Sequence, residues 1–121
     1  AYGDLSLEKL NSQIEKEARE LDIDLEFYQS NIEGELVSRL NAVDESYSGV
    51  IINPGAYTHT SIALMDSVEA LAVPAVEVHL SNTGAREDFR RVSYVGKAVA
   101  GRIMGFAKDS YSLALTWFAR R

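Results

Sequence analysis

The stretch GVIINPGAYTHTS, residues 49–61, decides the fold. Its first half is a short continuous apolar run, Val50-Ile51-Ile52, closed by Asn53-Pro54-Gly55. That pattern predicts a strand buried on both faces, as in the interior of a parallel sheet. Downstream, residues 61–71 read as a helix with Ile62, Leu64, Val68 and Leu71 on its apolar side. AVEVH, residues 75–79, is the next strand, and after a loop carrying residues 85–89 a further strand is expected around 100–105. Asp109 is expected to cap a final helix bearing Leu113, Leu115, Trp117 and Phe118. Upstream, Ser6 can cap a helix in which Leu7, Leu10, Ile14, Ala18 and Leu21 recur at helical spacing. Ile23, Leu25 and Phe27 then alternate with Asp24 and Glu26, the period of a strand, and residues 32–43 form a helix with Leu36, Leu40 and Val43 inward. Strands and helices alternating at this spacing predict an α/β architecture, a parallel sheet with helices on both faces.

Composition sets the bounds. The 121 residues and 13.4 kDa correspond to one domain, residues 1–121. A compact chain of this mass exposes roughly 6,500 Å², against roughly 19,000 Å² unfolded, so a sizeable core is available. The 46% apolar content fills it and excludes intrinsic disorder. Zero Cys removes disulfides, thiolate zinc sites and thiol nucleophiles. No apolar run approaches the length of a membrane span. AYGDLSLEKL at the start has no basic segment followed by an apolar one, so no secretory signal is expected and a cytoplasmic location is the default. The net charge of −6 argues against a nucleic-acid partner. Residues 1–48 carry 4 basic and 12 acidic side chains, for −8, whereas residues 49–121 carry 8 and 6, for +2. A small anionic ligand therefore fits the second part, and most carboxylates of the first read as solvated helix surface.

In an open parallel sheet, ligands bind outside the carboxyl ends of the strands. Two strand ends here are loaded with polar groups: residues 53–61, with Asn53, His59 and Ser61, and residues 77–90, with Glu77, His79, Ser81, Asn82, Arg86 and Arg90. If the two strands are neighbours, Asn53 and His79 lie roughly 5 Å apart, one strand spacing, and the polar residues converge on one crevice. Either histidine alone is more readily explained as a structural one; two of them beside two Asn, two Ser and an Arg favour a site. For Asn53 a turn-forming role before Pro54-Gly55 stands beside a chemical one.

The combination QSNIEGEL (29–36), NPGAYTHTS (53–61), EVHLSN (77–82) and AREDFR (85–90) resembles type II 3-dehydroquinate dehydratase, in order and spacing over nearly the whole chain. The resemblance implies a flavodoxin-like three-layer fold with strand order 2-1-3-4-5 and trimers packed into a dodecamer. It implies elimination of water from 3-dehydroquinate to 3-dehydroshikimate, in the shikimate or quinate pathway, with neither metal nor organic cofactor. Position by position, Tyr2 matches the catalytic base and His79 the general acid, with Glu77 two residues earlier on the same strand face orienting the imidazole. Asn53 matches the residue that holds the carboxylate and the mechanistic water, and the Leu80 and Ser81 amides match the carboxylate cradle. His59 and Arg90 match hydroxyl anchors, and Asp66 matches a residue contributed across the trimer interface. Gly84, Met65 and Val92 stand where the family usually has His, Arg and His. The family also begins with a strand, an NGPN-type turn and a lid arginine that have no counterpart here, so further residues are expected before Ala1. Without that central strand, a gap of roughly 10 Å would separate residues 25–27 from residues 49–53.

The residue types suit the chemistry. A proton alpha to a ketone is removed, so an enolate develops and needs donors placed in advance. The leaving hydroxide needs a proton that an imidazolium can give. A free Tyr has a pKa near 10, so acting as a base at pH 7 costs about 4 kcal/mol unless cationic neighbours favour the phenolate. Lys9, Lys16, Lys97 and Lys108 all lie outside the converging motifs, so no Schiff base is expected. The competing reading is a flavodoxin-like binding or scaffold domain derived from this family. A flavin or phosphate binder is disfavoured because no Gly-rich phosphate loop follows a strand.

Overall fold

The computed structural model describes residues 6–121. Helix α1 (Leu7–Glu20) starts at Ser6, whose side chain accepts from the Lys9 amide 3.1 Å away. Its apolar stripe buries Leu10, Ile14 and Ala18, while Leu7 and Leu21 at the ends stay exposed. The helix ends in a Schellman turn: Asp22 adopts a left-handed φ of 62° and the Ile23 amide returns to the Ala18 carbonyl at 2.8 Å. Helix α2 (Glu33–Asn41) buries Leu40 and half-buries Leu36, as the period predicts.

Strands β1 (Val50–Ile52), β2 (Ala75–His79) and β3 (Gly101–Met104) form a parallel sheet in the order β1-β2-β3, with Ile52 opposite Glu77 and His79 opposite Met104. These are the last three strands of the expected order. Helix α3 (Ile62–Glu69), capped by Ser61 through the Leu64 amide at 2.9 Å, makes the β1–β2 crossover. Between β2 and β3 the chain uses short 3₁₀ turns instead of a helix. Helix α4 (Asp109–Ala119) closes the chain. One face of the sheet packs Ile52 and Ala75 against Leu40, Leu64, Val68 and Val95. The other packs Val76 and Val78 against Ala114 of α4, with Leu115 of α4 meeting Leu10, Ile14 and Ala18 of α1. Helices therefore cover both faces, α2 and α3 on one side and α1 and α4 on the other.

Three expectations are corrected. Residues 23–27 form no strand, because a strand exists only through backbone pairing and no strand lies beside them among the described residues. Ile23 and Leu25 still pack on the α1–α4 core, and Phe27 is exposed. For the same reason β1 is not buried on both faces: Val50 and Ile51 are only half-buried, and Ile52 alone is buried. Asp109 does not cap α4. It is the first helical residue, where its carboxylate meets the positive end of the helix, and Lys108 occupies the cap without a side-chain bond.

Candidate active site

β2 carries the chemistry because its pleat sorts side chains by face. Val76 and Val78 point to α4, which leaves Glu77 and His79 on the side of Ala75 and α3. All five residues of β2 are buried, so a carboxylate there must find partners or neutralise. Glu77 is fully buried and finds four. Arg102 Nε donates to Oε1 at 2.8 Å, and Ser93 Oγ lies 3.2 Å from the same oxygen. His79 Nε2 meets Oε2 at 2.5 Å, and the Thr58 hydroxyl donates to that oxygen as well. A relay supports the second side: the Gly96 amide donates to Ser93 Oγ at 2.8 Å, and Ser93 Oγ lies 2.6 Å from Thr58 Oγ1. Burial pushes the Glu77 carboxyl up. The hydrogen bonds from His79 and Thr58 and the Arg102 charge outweigh it and hold the group below the ordinary carboxylate range. Glu77 is thus an anion, and its acceptance of the Nε2–H fixes the tautomer of His79, leaving Nδ1 outside the pair.

The other candidates are held by their own local contacts. His59, half-buried in a 3₁₀ turn (Gly55–His59), donates Nδ1–H to the Val92 carbonyl at 2.6 Å, which leaves its Nε2 available to a ligand hydroxyl. The Phe89 ring meets it edge-on at 6.1 Å. Arg90 lies over that same ring at 4.8 Å and donates Nε–H to Glu87 at 2.6 Å. His59, Phe89 and Arg90 therefore pack as one cluster. Leu80 and Ser81 continue directly from His79, and among the described residues neither amide donates to a backbone carbonyl outside the strand ladder. Asn53 is placed differently from the sequence expectation. The β1–β2 register continues to put it beside Val78, one residue short of His79 and on the opposite side of the pleat. Its Oδ1 accepts from the Gly55 amide at 3.1 Å, and its Nδ2 donates to the Tyr111 hydroxyl at 3.0 Å. The turn-forming reading of Asn53 is seen in its bond from the Gly55 amide, and its amide nitrogen is held by Tyr111. Asp66 is exposed on α3 and takes no part in the Glu77 cluster. Tyr2 lies outside the described residues. Among the described residues, no cluster of three or more His, Asp or Glu is placed to hold a metal.

Residues 1–119 match the family model described as Dehydroquinase class II. The chain belongs to that family. It is 50% identical over 114 residues to the 3-dehydroquinate dehydratase of Acaryochloris marina, covering 94% of this chain and 76% of the relative. To the 3-dehydroquinate dehydratase of Geotalea daltonii it is 48% identical over 114 residues, covering 94% and 79%. The type II dehydroquinase crystal structure from Propionibacterium acnes superposes with a TM-score of 0.93 at 35% identity, over 98% of this chain and 87% of that one. A 3-dehydroquinate dehydratase-like protein from Bifidobacterium longum gives a TM-score of 0.77 at 28% identity, over 94% and 86%.

For a class II dehydroquinase chain, the partners that sequence reasoning missed are the ones that satisfy Glu77. Thr58 sits inside the quoted NPGAYTHTS motif, but a buried Thr next to a His gives no sign of which oxygen it reaches. Ser93 lies in a loop of 3₁₀ turns whose path cannot be read from periodicity. Arg102 had a usable signal: an arginine inside an expected strand of a two-sided parallel sheet must have an anion beside it, and the neighbouring strand offers Glu77.

Proposed function

We propose that the chain eliminates water from 3-dehydroquinate to give 3-dehydroshikimate; its relatives are named 3-dehydroquinate dehydratase. The observation that carries the reading is the fully buried Glu77 carboxylate holding His79 Nε2 at the carboxyl end of β2. In the first step Tyr2, as phenolate, takes the proton alpha to the ketone, and the electron pair moves into an enolate. In the second step the enolate re-forms the ketone and expels the beta hydroxyl. His79 gives that hydroxyl its proton from Nδ1, so water leaves and the ring relaxes to the Nε2–H tautomer that Glu77 already accepts. Glu77 stabilises the imidazolium before transfer and keeps the ring oriented after it.

Substrate placement follows from the same residues. The Leu80 and Ser81 amides and Asn53 hold the carboxylate, with Asn53 also holding the water through which the enolate oxygen is solvated. The Nε2 of His59 and the guanidinium of Arg90 anchor ring hydroxyls. Asp66, exposed on α3, reaches a neighbouring protomer in a trimer, and four trimers build a dodecamer. The enzyme works in the cytoplasm, within the shikimate or quinate pathway. No helix among the described residues is long and apolar enough to cross a membrane.

Appearance of enone absorbance from 3-dehydroquinate tests the reaction directly. Turnover by the wild-type chain is expected, and Tyr2→Phe and His79→Ala should each lower kcat by about 10²-fold or more. A folded chain without turnover would refute the reaction and return the scaffold reading. Sedimentation of the native assembly decides the trimer-based architecture.

A further inference from the structure

Arg102 faces Glu77 across the β2–β3 pair, the two being direct partners in the parallel register. Side chains at such positions stand on the same face about 4.8 Å apart, so a short reach brings Nε to Oε1 at 2.8 Å. Two further features show that the guanidinium is accommodated at some sacrifice. Its Nη2 is buried and has no hydrogen-bond partner among the described residues, an unmet donor that an apolar side chain would not have. Gly96 is shaped around it: a Cβ there would come within 2.8 Å of Arg102 Cδ, 2.9 Å of Arg102 Nε and 2.8 Å of Ser93 Oγ. The Gly96 backbone does not need glycine's left-handed freedom, since among the glycines it is Gly55 and Gly105 that have a positive φ. The glycine is there for space.

We propose that Arg102 is a positioning residue for His79, acting through Glu77, with Gly96 keeping the slot open. The proposal rests on the elimination assigned above and adds a residue to it. The Glu77 carboxylate has two oxygens and two tasks. Arg102 occupies Oε1 and sets the plane of the carboxylate, so Oε2 is turned to His79 Nε2 and Thr58. Without Arg102 the plane is fixed only by hydroxyl groups that rotate, and a fully buried carboxyl has lost its only cationic neighbour other than His79 among the described residues. The His79 ring then loses both its orientation and the anion that stabilises its protonated form. The groups facing Glu77 are the hydroxyls of Thr58 and Ser93, the His79 ring and the Arg102 guanidinium, from the turn before α3, the loop after β2, and strands β2 and β3.

The test compares Arg102→Met, Arg102→Gln, Arg102→Lys and Gly96→Ala in the full chain, by steady-state turnover of 3-dehydroquinate and by proton NMR of the His79 ring N–H. Arg102→Met and Gly96→Ala should lower kcat by about 10-fold or more while KM changes by less than about threefold, and Arg102→Lys should recover most of the loss. The slowly exchanging ring N–H signal should broaden or vanish in Arg102→Met and persist in Arg102→Lys. If Arg102→Met does not fold, Arg102→Lys against Arg102→Gln decides: a rapid Lys variant and a slow Gln variant support the clamp. Equal rates for Lys and Met, or for Lys and Gln, would overturn it, as would an unchanged ring N–H signal. Absence of turnover in the wild-type chain with the NMR contrast intact would instead discard the reaction and keep the clamp.

Discussion

Replacing Glu77 by Gln probes the centre of the buried network with almost no change of shape. The carboxylate now accepts on both oxygens, from Arg102 and Ser93 on one side and from His79 and Thr58 on the other. A Gln amide can accept on one side only. If its NH₂ turned to Arg102, two donors would face each other beside an uncompensated cation, the arrangement that costs about 3–5 kcal/mol in a buried pair. The amide will therefore keep its oxygen toward Arg102 and turn its nitrogen to His79. There the ring must switch tautomer, with Nε2 accepting, and Thr58 must rotate its hydroxyl away. The stability loss is then the difference between a charged and a neutral acceptor at Arg102, roughly 1–1.5 kcal/mol, plus an imperfectly met donor at Thr58, roughly 1 kcal/mol.

The expected total is about 2–2.5 kcal/mol, read from urea unfolding as a lowered midpoint with an unchanged slope. A domain of this length should lose roughly 3–5 °C of Tm per kcal/mol. The effect on rate is larger. The switched tautomer puts the ring proton on Nδ1 of a neutral imidazole, with no anion to stabilise the imidazolium, so kcat should fall by about 10²-fold or more. A variant that lost less than about 1 kcal/mol and kept kcat within about threefold would refute the claim that Glu77 is ionised and orients His79.

The remaining predictions concern other parts of the chain. Because the folded-state Glu77 carboxyl is held below its ordinary value, its contribution to stability is full above the unfolded pKa near 4.3 and is lost as pH falls through the folded value. The acid limb of the stability curve should accordingly flatten in Glu77→Gln, measured by thermal melts between pH 3 and 6; an unchanged limb would contradict it. Gly49→Ala should destabilise by about 1–3 kcal/mol, since its Cβ would lie 2.1 Å from the Phe118 ring and 2.9 Å from the Pro74 carbonyl that pairs with Val50, and a melt equal to wild type would show that α4 yields freely. Tyr111→Phe removes the hydroxyl that aims Asn53, so KM for the substrate should rise with little loss of stability, roughly 0.5–1.5 kcal/mol; steady-state kinetics that leave KM untouched would separate Asn53 from substrate binding. Borohydride added during turnover should leave the chain unmodified by mass spectrometry, whereas an adduct on Lys9, Lys16, Lys97 or Lys108 would replace the enolate route with an imine.

What could be read from the sequence divides along a physical line. Helix α1 and strand β2 were legible because their information is local: a cap followed by apolar residues at helical spacing in one, a bounded apolar run in the other. Residues 23–27 carry an equally good strand period, yet no strand pairs with them among the described residues, because alternation records only which side chains face a core and pairing belongs to two segments at once. Asn53 shows the same division on a smaller scale. Its place at a strand end was local and correct, but which side of the pleat it takes depends on the register with β2. The Glu77–His79 pair was accessible because two residues two apart on a strand must share a face. Its support was not. Thr58, Ser93 and Arg102 come from positions 19, 16 and 25 residues away along the chain, and hydroxyls and a guanidinium become specific only when an anion is buried among them. A buried ionised group in a strand is therefore the useful starting point for such a reading: it obliges the neighbouring strand to supply a cation, and the register then says which one.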